Sequence, residues 1–339
     1  MNLKNISISL IVFSTLALAA FVFAYTVANS TYEKESVRVY IPEGASEDSI
    51  KSILTDALGS DFGDKVALMW NIQRGNCHRS YGSYLIKEGD KAYRVARNIA
   101  NGNQTPIRFT FNNIRRFGDL ASRAGDTFAF DSLAFEQAAD SVLGARGFDR
   151  REYSAAIFPD TYEFYWTASP ESVLSALNNY REKFWNEERR AKAQALNLTP
   201  NQIHTLASIV EEESNLADDR PRIARLYLNR LSRGMNLQAD PTVKFQLNQF
   251  SLRRITVEHT RIDGPYNTYT RAGLPIGPIR FVEKATIDAC LNAPKHDFLY
   301  MCARSDFSGY HDFAKDYATH RINAARYHRA LNARGITSK

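Results

Sequence analysis

Cysteine is scarce in this 339-residue chain: Cys77, Cys290 and Cys302 are its whole complement. Their spacing matches no metal-ligand motif, and an odd number is no disulfide framework. A Cys290–Cys302 bridge is conceivable outside the cytoplasm. Buried free thiols fit better, because cysteine is a common core residue. No stripe of Arg and Lys accompanies a nucleic-acid-binding motif, so no nucleic-acid partner is expected. The net charge of +6 is mild and spread along the chain, which suits an anionic surface or a carboxylate-bearing polymer. Tandem repeats and low-complexity tracts are missing. With 44% apolar and 24% charged residues, the composition is that of globular protein, which argues against disorder. No His/Asp/Glu cluster has metal-ligand spacing, so neither a metal nor another cofactor is expected.

Long apolar runs are absent too, with one exception. Ile6 to Ala28 carries no charge, and Lys4 stands just before it. This is about the length of a membrane-spanning helix. A cleaved signal peptide is the rival reading, with small residues near Ala24–Ala28 as its cleavage site. The run exceeds a typical signal core, which favours a retained anchor. Residues 1–30 then form a cytoplasmic tip and a single transmembrane helix, and the rest lies on the extracytoplasmic side.

Beyond a polar linker, the period of the apolar residues alternates between strand-like and helix-like. Val37–Ile41, Gly82–Ile86 and Ile107–Phe111 read as strands. Helices are predicted from Ser46, as N-cap, to Leu58, and from Lys91 to Ala100, closed by Asn101-Gly102. Residues 31–111 therefore suit a small α+β module. Residues 112–150 read as a helical linker opening a second domain, 112–339. There Glu171–Asn197 is a long helix or helix pair, Arg222–Arg233 a helix, Phe298–Cys302 a strand and Thr319–Asn332 a closing helix. Phe158–Trp166 is aromatic-rich, which suits core packing better than sugar stacking. The fold class is α+β, mostly helical in its second part.

The most informative helix opens at Thr199, with Pro200 at its first position and Gln202 at its third, a capping-box pattern. Ile203, Leu206, Ile209 and Val210 then form an apolar stripe. At about 100° per residue, Glu213 falls on that stripe, whereas Glu211 and Glu212 fall on opposite flanks. An acid on an apolar face is poorly hydrated, and desolvation raises a carboxyl pKa. Such an acid can protonate a glycosidic oxygen. The plainer reading is a half-buried acid paired with an Arg of the next helix.

Several segments resemble, in matching order, the MltG (YceG-like) endolytic murein transglycosylases. They are Ala207–Glu213, Asn229–Leu231, Gly234–Val243, Tyr266–Tyr269, Gly273–Pro278 and His311–Phe313, with Phe158–Tyr162 and Gly82–Tyr84 upstream. The sequence departs from the family at Glu212, where Lys is common, and along Leu247–Ile262; the match is poor before residue 80. The resemblance implies a LysM-like module at 31–111 and a lysozyme-like or Slt-like catalytic domain with a small β element. It implies an enzyme on the plasma membrane with its catalytic domain on the periplasmic side. It implies endolytic, non-hydrolytic cleavage of the MurNAc-GlcNAc β-1,4 bond to 1,6-anhydroMurNAc ends, on nascent strands whose elongation is thereby terminated. The implied partners are peptidoglycan strands, the membrane through the N-terminal helix, and cell-wall synthases. Alternatives are a water-using muramidase and a non-catalytic peptidoglycan-binding scaffold.

The family's catalytic acid is the second of a Glu-x-Glu pair, which is Glu213 here, and Glu213-Ser214 is similar to the Glu-Ser pair of soluble lytic transglycosylases. By the same resemblance Gln238 and Asn267 are candidates to bind N-acetyl groups, and Tyr266 and Tyr269 to stack on or hydrogen-bond sugars, with Thr268 between them. Asn229 is a candidate for a polar task, because Asn is a poor helix former. Glu211 is expected to orient neighbours or to pair with Arg230. Asp240 is a substrate-site candidate, an N-cap or a loop brace, and His311 a substrate-site candidate.

Overall fold

The computed structural model describes residues 3–252 and 254–335. The chain divides into two compact units. The first runs to Phe109 and adds two short later segments, Thr127–Phe130 and Tyr162–Ser169; the second holds the remainder.

The first unit opens with α1 (Leu3–Asn29). Its stretch Ile11–Asn29 is long and apolar enough to cross a membrane. Phe13, Leu16, Phe21 and Phe23 are all exposed along it. At its C-terminal end Val27 is buried in the core of the unit. β1 (Val37–Ile41) follows, then α2 (Glu47–Leu58), α3 (Ser60–Ile72), α4 (Cys77–Ser80), β2 (Gly82–Ile86), α5 (Ala92–Ala100) and β3 (Ile107–Thr110). Ser46 caps α2 by accepting the Ser49 N–H. α5 stops at Asn101, and Gly102 has φ +69°, a left-handed turn that glycine adopts freely. β1 and β2 pair antiparallel, Val39 opposite Tyr84. Ile50, Leu54, Trp70, Ile86 and Ile99 fill the core beneath them. β3 forms a second two-stranded sheet with β4 (Thr161–Phe164).

The second unit is mostly helical. It holds α6 (Phe117–Gly125), α7 (Ser132–Val142), two 3₁₀ turns, α8 (Pro170–Phe184), α9 (Glu187–Ala195), α10 (Pro200–Glu213), α11 (Arg220–Ser232), α12 (Asp240–Leu247), α13 (Val257–Arg261), α14 (Lys284–Leu291) and α15 (Tyr317–Ala333). One antiparallel hairpin, β5 (Tyr300–Ala303) with β6 (His311–Ala314), lies before α15, Cys302 opposite Asp312. Of the two readings for 171–197, a long helix or a helix pair, the pair forms, because Asn186 interrupts the run and caps α9. Phe158 is fully buried and packs on Phe184 and His204. All three cysteines are free thiols, and Cys290 is buried.

α10 is the axis of this unit. The capping box forms: Thr199 accepts the Gln202 N–H, and Gln202 accepts the Thr199 N–H. The single-stripe picture of the helix is corrected by its surroundings. α11, α12 and α14 all pack on α10, and every residue from Ile203 to Glu211 is buried. A helix enclosed on all sides imposes no polar flank, so Glu211 is 2% exposed. Charge offsets only part of that burial, which still pushes the Glu211 carboxyl above its ordinary range. Arg280 lies 3.1 Å from Glu211 Oε1, and the Thr286 hydroxyl and the Glu283 N–H donate to Oε2. Arg280 also reaches Glu212, which Arg115 pairs from the other side. The expected pairing of Glu211 with Arg230 is therefore wrong. Arg280 arrives instead from a loop distant in sequence.

Candidate active site

The last turn of α10 ends in a cleft of about 270 Å³ within the second unit. Glu213 lies at its wall. α11 contributes Leu226, Tyr227 and Arg230, one face of that helix. The loop into α12 contributes Leu237, Gln238 and Asp240, and the turn at Tyr269 faces them. The β5–β6 hairpin closes the ring with Met301, Cys302, Ala303 and His311.

Burial pushes the Glu213 carboxyl above the ordinary carboxylate range, and the charge of Asp240 adds to this. The Tyr227 hydroxyl, His311 and Lys244 pull in the opposite direction without cancelling it. Tyr227 donates to Glu213 Oε1 at 2.6 Å. Burial first, then the nearby Glu213 charge, raises the Tyr227 hydroxyl well above its usual range, so it remains a donor. The side chain is only partly enclosed, so one carboxyl group is both poorly hydrated and reachable. That combination suits a proton donor to a ligand in the cleft.

His311 is fixed from behind. Its Nδ1 lies 2.6 Å from Asp219 Oδ2, and Asp219 is fully buried just before α11. A buried carboxylate on one ring nitrogen fixes the ring and its tautomer. Asp240, in the first turn of α12, accepts the Tyr269 hydroxyl at 2.6 Å. The cleft therefore holds two carboxyl groups, Glu213 and Asp240. Gln238 has φ +52°, a costly conformation for a residue with a side chain. Its N–H bonds to Thr268 O, and its Oε1 accepts from Arg230 at 3.3 Å.

Five of the candidates thus meet in the cleft: Glu213, Gln238, Asp240, Tyr269 and His311. The others lie elsewhere. Asn229 donates to the carbonyls of His296 and Phe298 and holds the approach to β5. Asn267 is buried, donates to Thr260 O and Ile262 O, and accepts the Tyr269 N–H. Thr268 is buried and accepts the Ala239 N–H. These three spend their polar atoms on backbone and, for Thr268, also on the Thr242 hydroxyl, so they shape the cleft rather than line it. Glu211 is buried in the ion network described above, and Tyr266 lines a different cavity. Ser214 ends α10, its hydroxyl accepting the Leu216 N–H.

The sequence singles out neither Tyr227 nor Asp219, and it offers Arg230 only as a partner of Glu211 rather than as a cleft residue. Tyr227 and Arg230 share a helix face with Leu226, a pattern visible beforehand. Arg230 spans the cleft wall, donating to Leu299 O at 2.6 Å and Leu237 O at 2.8 Å. An Asp directly before Arg220-Pro221 is a helix-start signal, but nothing local shows that it meets His311.

The YceG-like family model matches residues 39–326. An endolytic murein transglycosylase of Bacillus subtilis (strain 168) is 27% identical over 296 residues, 80% of this chain and 80% of that protein. The endolytic murein transglycosylase of Streptococcus pneumoniae (serotype 2, strain D39) is 33% identical over 155 residues, 43% of this chain and 27% of that one. A crystal structure of a yceG-like protein from Listeria monocytogenes superposes with a TM-score of 0.56 at 22% identity, over 86% of this chain and 99% of that chain. That last likeness concerns the fold alone.

Proposed function

We propose, from the premise that this chain belongs to the YceG-like family, that it is an endolytic lytic transglycosylase of peptidoglycan with Glu213 as its acid. The observation that carries this is the Glu213 carboxyl, pushed above its ordinary range by burial, on the wall of an open cleft beneath the Tyr227 hydroxyl. The names of the Bacillus and Streptococcus relatives support the polymer.

Glu213 gives its proton to the oxygen of the MurNAc-GlcNAc β-1,4 bond as the C1–O bond breaks. The oxocarbenium-like centre is stabilised by the substrate's acetamido group. Glu213, now a carboxylate under the Tyr227 hydroxyl, takes the proton of the muramyl C6 hydroxyl as O6 bonds to C1. The product is a 1,6-anhydroMurNAc end, and no water is consumed. One carboxyl group serves both steps. His311, fixed by Asp219, offers its other nitrogen to a sugar hydroxyl, and Gln238 and Tyr269 are the remaining sugar contacts.

The wider proposal places α1 across the plasma membrane, with the rest of the first unit and the second unit on the periplasmic side. Residues 31–111 act as a LysM-like module, a reading supported by the antiparallel β1–β2 pair that brackets α2, α3 and α4. The strands cut are nascent ones whose growth is thereby ended, which makes cell-wall synthases the expected partners.

Asp240 favours a second reading, because a second carboxylate in the same cleft is what a water-using muramidase needs. Product mass separates the two: anhydro ends are one water lighter than reducing ends. Glu213→Gln tests the shared premise. Cleavage falls by about 10²–10⁴-fold; normal cleavage by a folded Glu213→Gln protein removes Glu213 from the mechanism.

A further inference from the structure

The Tyr266–Tyr269 turn borders two cavities in the second unit. Tyr269 belongs to the Glu213 cleft. Tyr266 belongs to a second cavity of about 530 Å³. α12 is shared in the same way: Asp240 at its start borders the cleft, and Phe245 and Gln246 near its end border the second cavity. Helical rise puts these ends only about 9 Å apart, close enough for one branched ligand to touch both.

The walls of the second cavity are basic and aromatic. Arg115, Arg116, Arg150 and Arg151 surround it. Arg115 is committed to Glu212. Arg150 and Arg151 are held by Asp140 and Asp149 in exposed, bidentate pairs. Arg116 has no carboxylate partner among the described residues, and its guanidinium lies 5.5 Å from the centre of the Phe245 ring. Asp119, also on the wall, accepts the backbone N–H of Arg116. Phe245 and Tyr266 pack edge to face at 4.7 Å. The Tyr266 hydroxyl makes no hydrogen bond among the described residues, whereas its N–H is fixed by Gln246 Oε1. The wall carrying Pro278 is closely fitted. A Cβ on Gly277 would stand 2.2 Å from the Arg151 carbonyl oxygen.

Planar guanidinium groups recognise carboxylates bidentately, and adjacent rings accept an apolar stem. Peptidoglycan carries short acidic peptides on its muramyl residues. We infer that this second cavity binds the carboxylate-bearing stem peptide of the strand whose sugars occupy the Glu213 cleft. This deepens the function proposed above and rests on it. The protein thereby prefers peptide-bearing glycan to bare glycan, and Arg116 and Tyr266 are the residues that make the distinction.

The test is binding to the full-length Glu213→Gln protein, which leaves the probe intact. Two probes are compared: a soluble disaccharide-peptide with free carboxylates, and the same disaccharide without its peptide. Arg116→Gln weakens the peptide-bearing probe by about tenfold and leaves the bare disaccharide unchanged. If Arg116→Gln disturbs folding, seen as a lowered Tm, Tyr266→Phe takes its place, with a few-fold loss on the same probe alone. Equal loss on both probes, or no loss on either, overturns the inference. Cleavage by the wild-type chain is measured in parallel. An Arg116-dependent preference in a chain that cuts no glycan sinks the proposed activity and keeps the peptide site. Cleavage without that preference does the reverse.

Discussion

Tyr227→Phe removes one oxygen from the site and leaves the ring in its packing. In the wild type that hydroxyl donates to Glu213 at 2.6 Å and stabilises the charged carboxylate. Its removal moves the Glu213 pKa further upward. A hydrogen bond to a charged group contributes about 1.5–3 kcal/mol. A cleft water replacing the hydroxyl recovers part of this, so the net loss is taken as about 1.4 kcal/mol, equivalent to about one pH unit. On the proposed mechanism the acid acts in its protonated form, so the alkaline limb of the kcat/KM profile moves up by about one pH unit, and activity persists into more basic solution. The assay is release of soluble fragments from purified glycan strands across a pH series. A limb that stays in place, or moves down, refutes the assignment of Glu213 as the titrating acid with Tyr227 as its donor.

Three further outcomes follow from the same network. Glu213→Gln raises the Tm at pH 7. The folded state raises this carboxyl's pKa, so its stability contribution is fully present below the ordinary value of 4.5 and is lost as pH climbs through the folded value; the difference in Tm therefore closes as pH falls toward 4.5, and a Tm gap independent of pH would contradict the burial argument. Asp219→Asn loosens the hold on His311 and lowers kcat by about tenfold or more, by analogy with other His-orienting carboxylates; a folded variant with normal kcat assigns His311 a packing role only. Arg280→Ala leaves buried Glu211 with only the more distant Arg220, 4.0 Å away, and Glu212 with Arg115 alone, which destabilises the fold by about 3 kcal/mol, read from denaturant unfolding; a loss under about 1 kcal/mol would mean that Arg220 or water takes over the charge of Glu211.

Much of the fold is written locally. Ser46, Thr199 and the Asn101-Gly102 stop mark helix ends through chemistry confined to neighbouring residues, and alternation marks β1 and β2. The position of Glu213 was legible because its helix carries its own start signal. What escaped depends on partners far along the chain. Glu211 looked like a flank residue because the sequence does not say that α14 and the Arg280 loop cover that flank. Asn267 and Thr268 looked like sugar ligands because a polar side chain reads the same whether it faces a ligand or a carbonyl. Tyr266 and Tyr269, three residues apart, open on different cavities, which only the path of α12 decides. Asp219 and His311 meet across 92 residues, with no periodicity to announce it.

The first unit is joined to its helix without slack. α1 runs unbroken from its lipid-compatible stretch to Asn29, Val27 is already inside the core, and Tyr32 is buried three residues beyond the helix end. On the proposed membrane placement this makes α1 a mast rather than a leash. The tilt of the helix in the bilayer dictates which face of the first unit is turned toward the wall polymer, and no floppy tether is left at the membrane surface for a protease to sever.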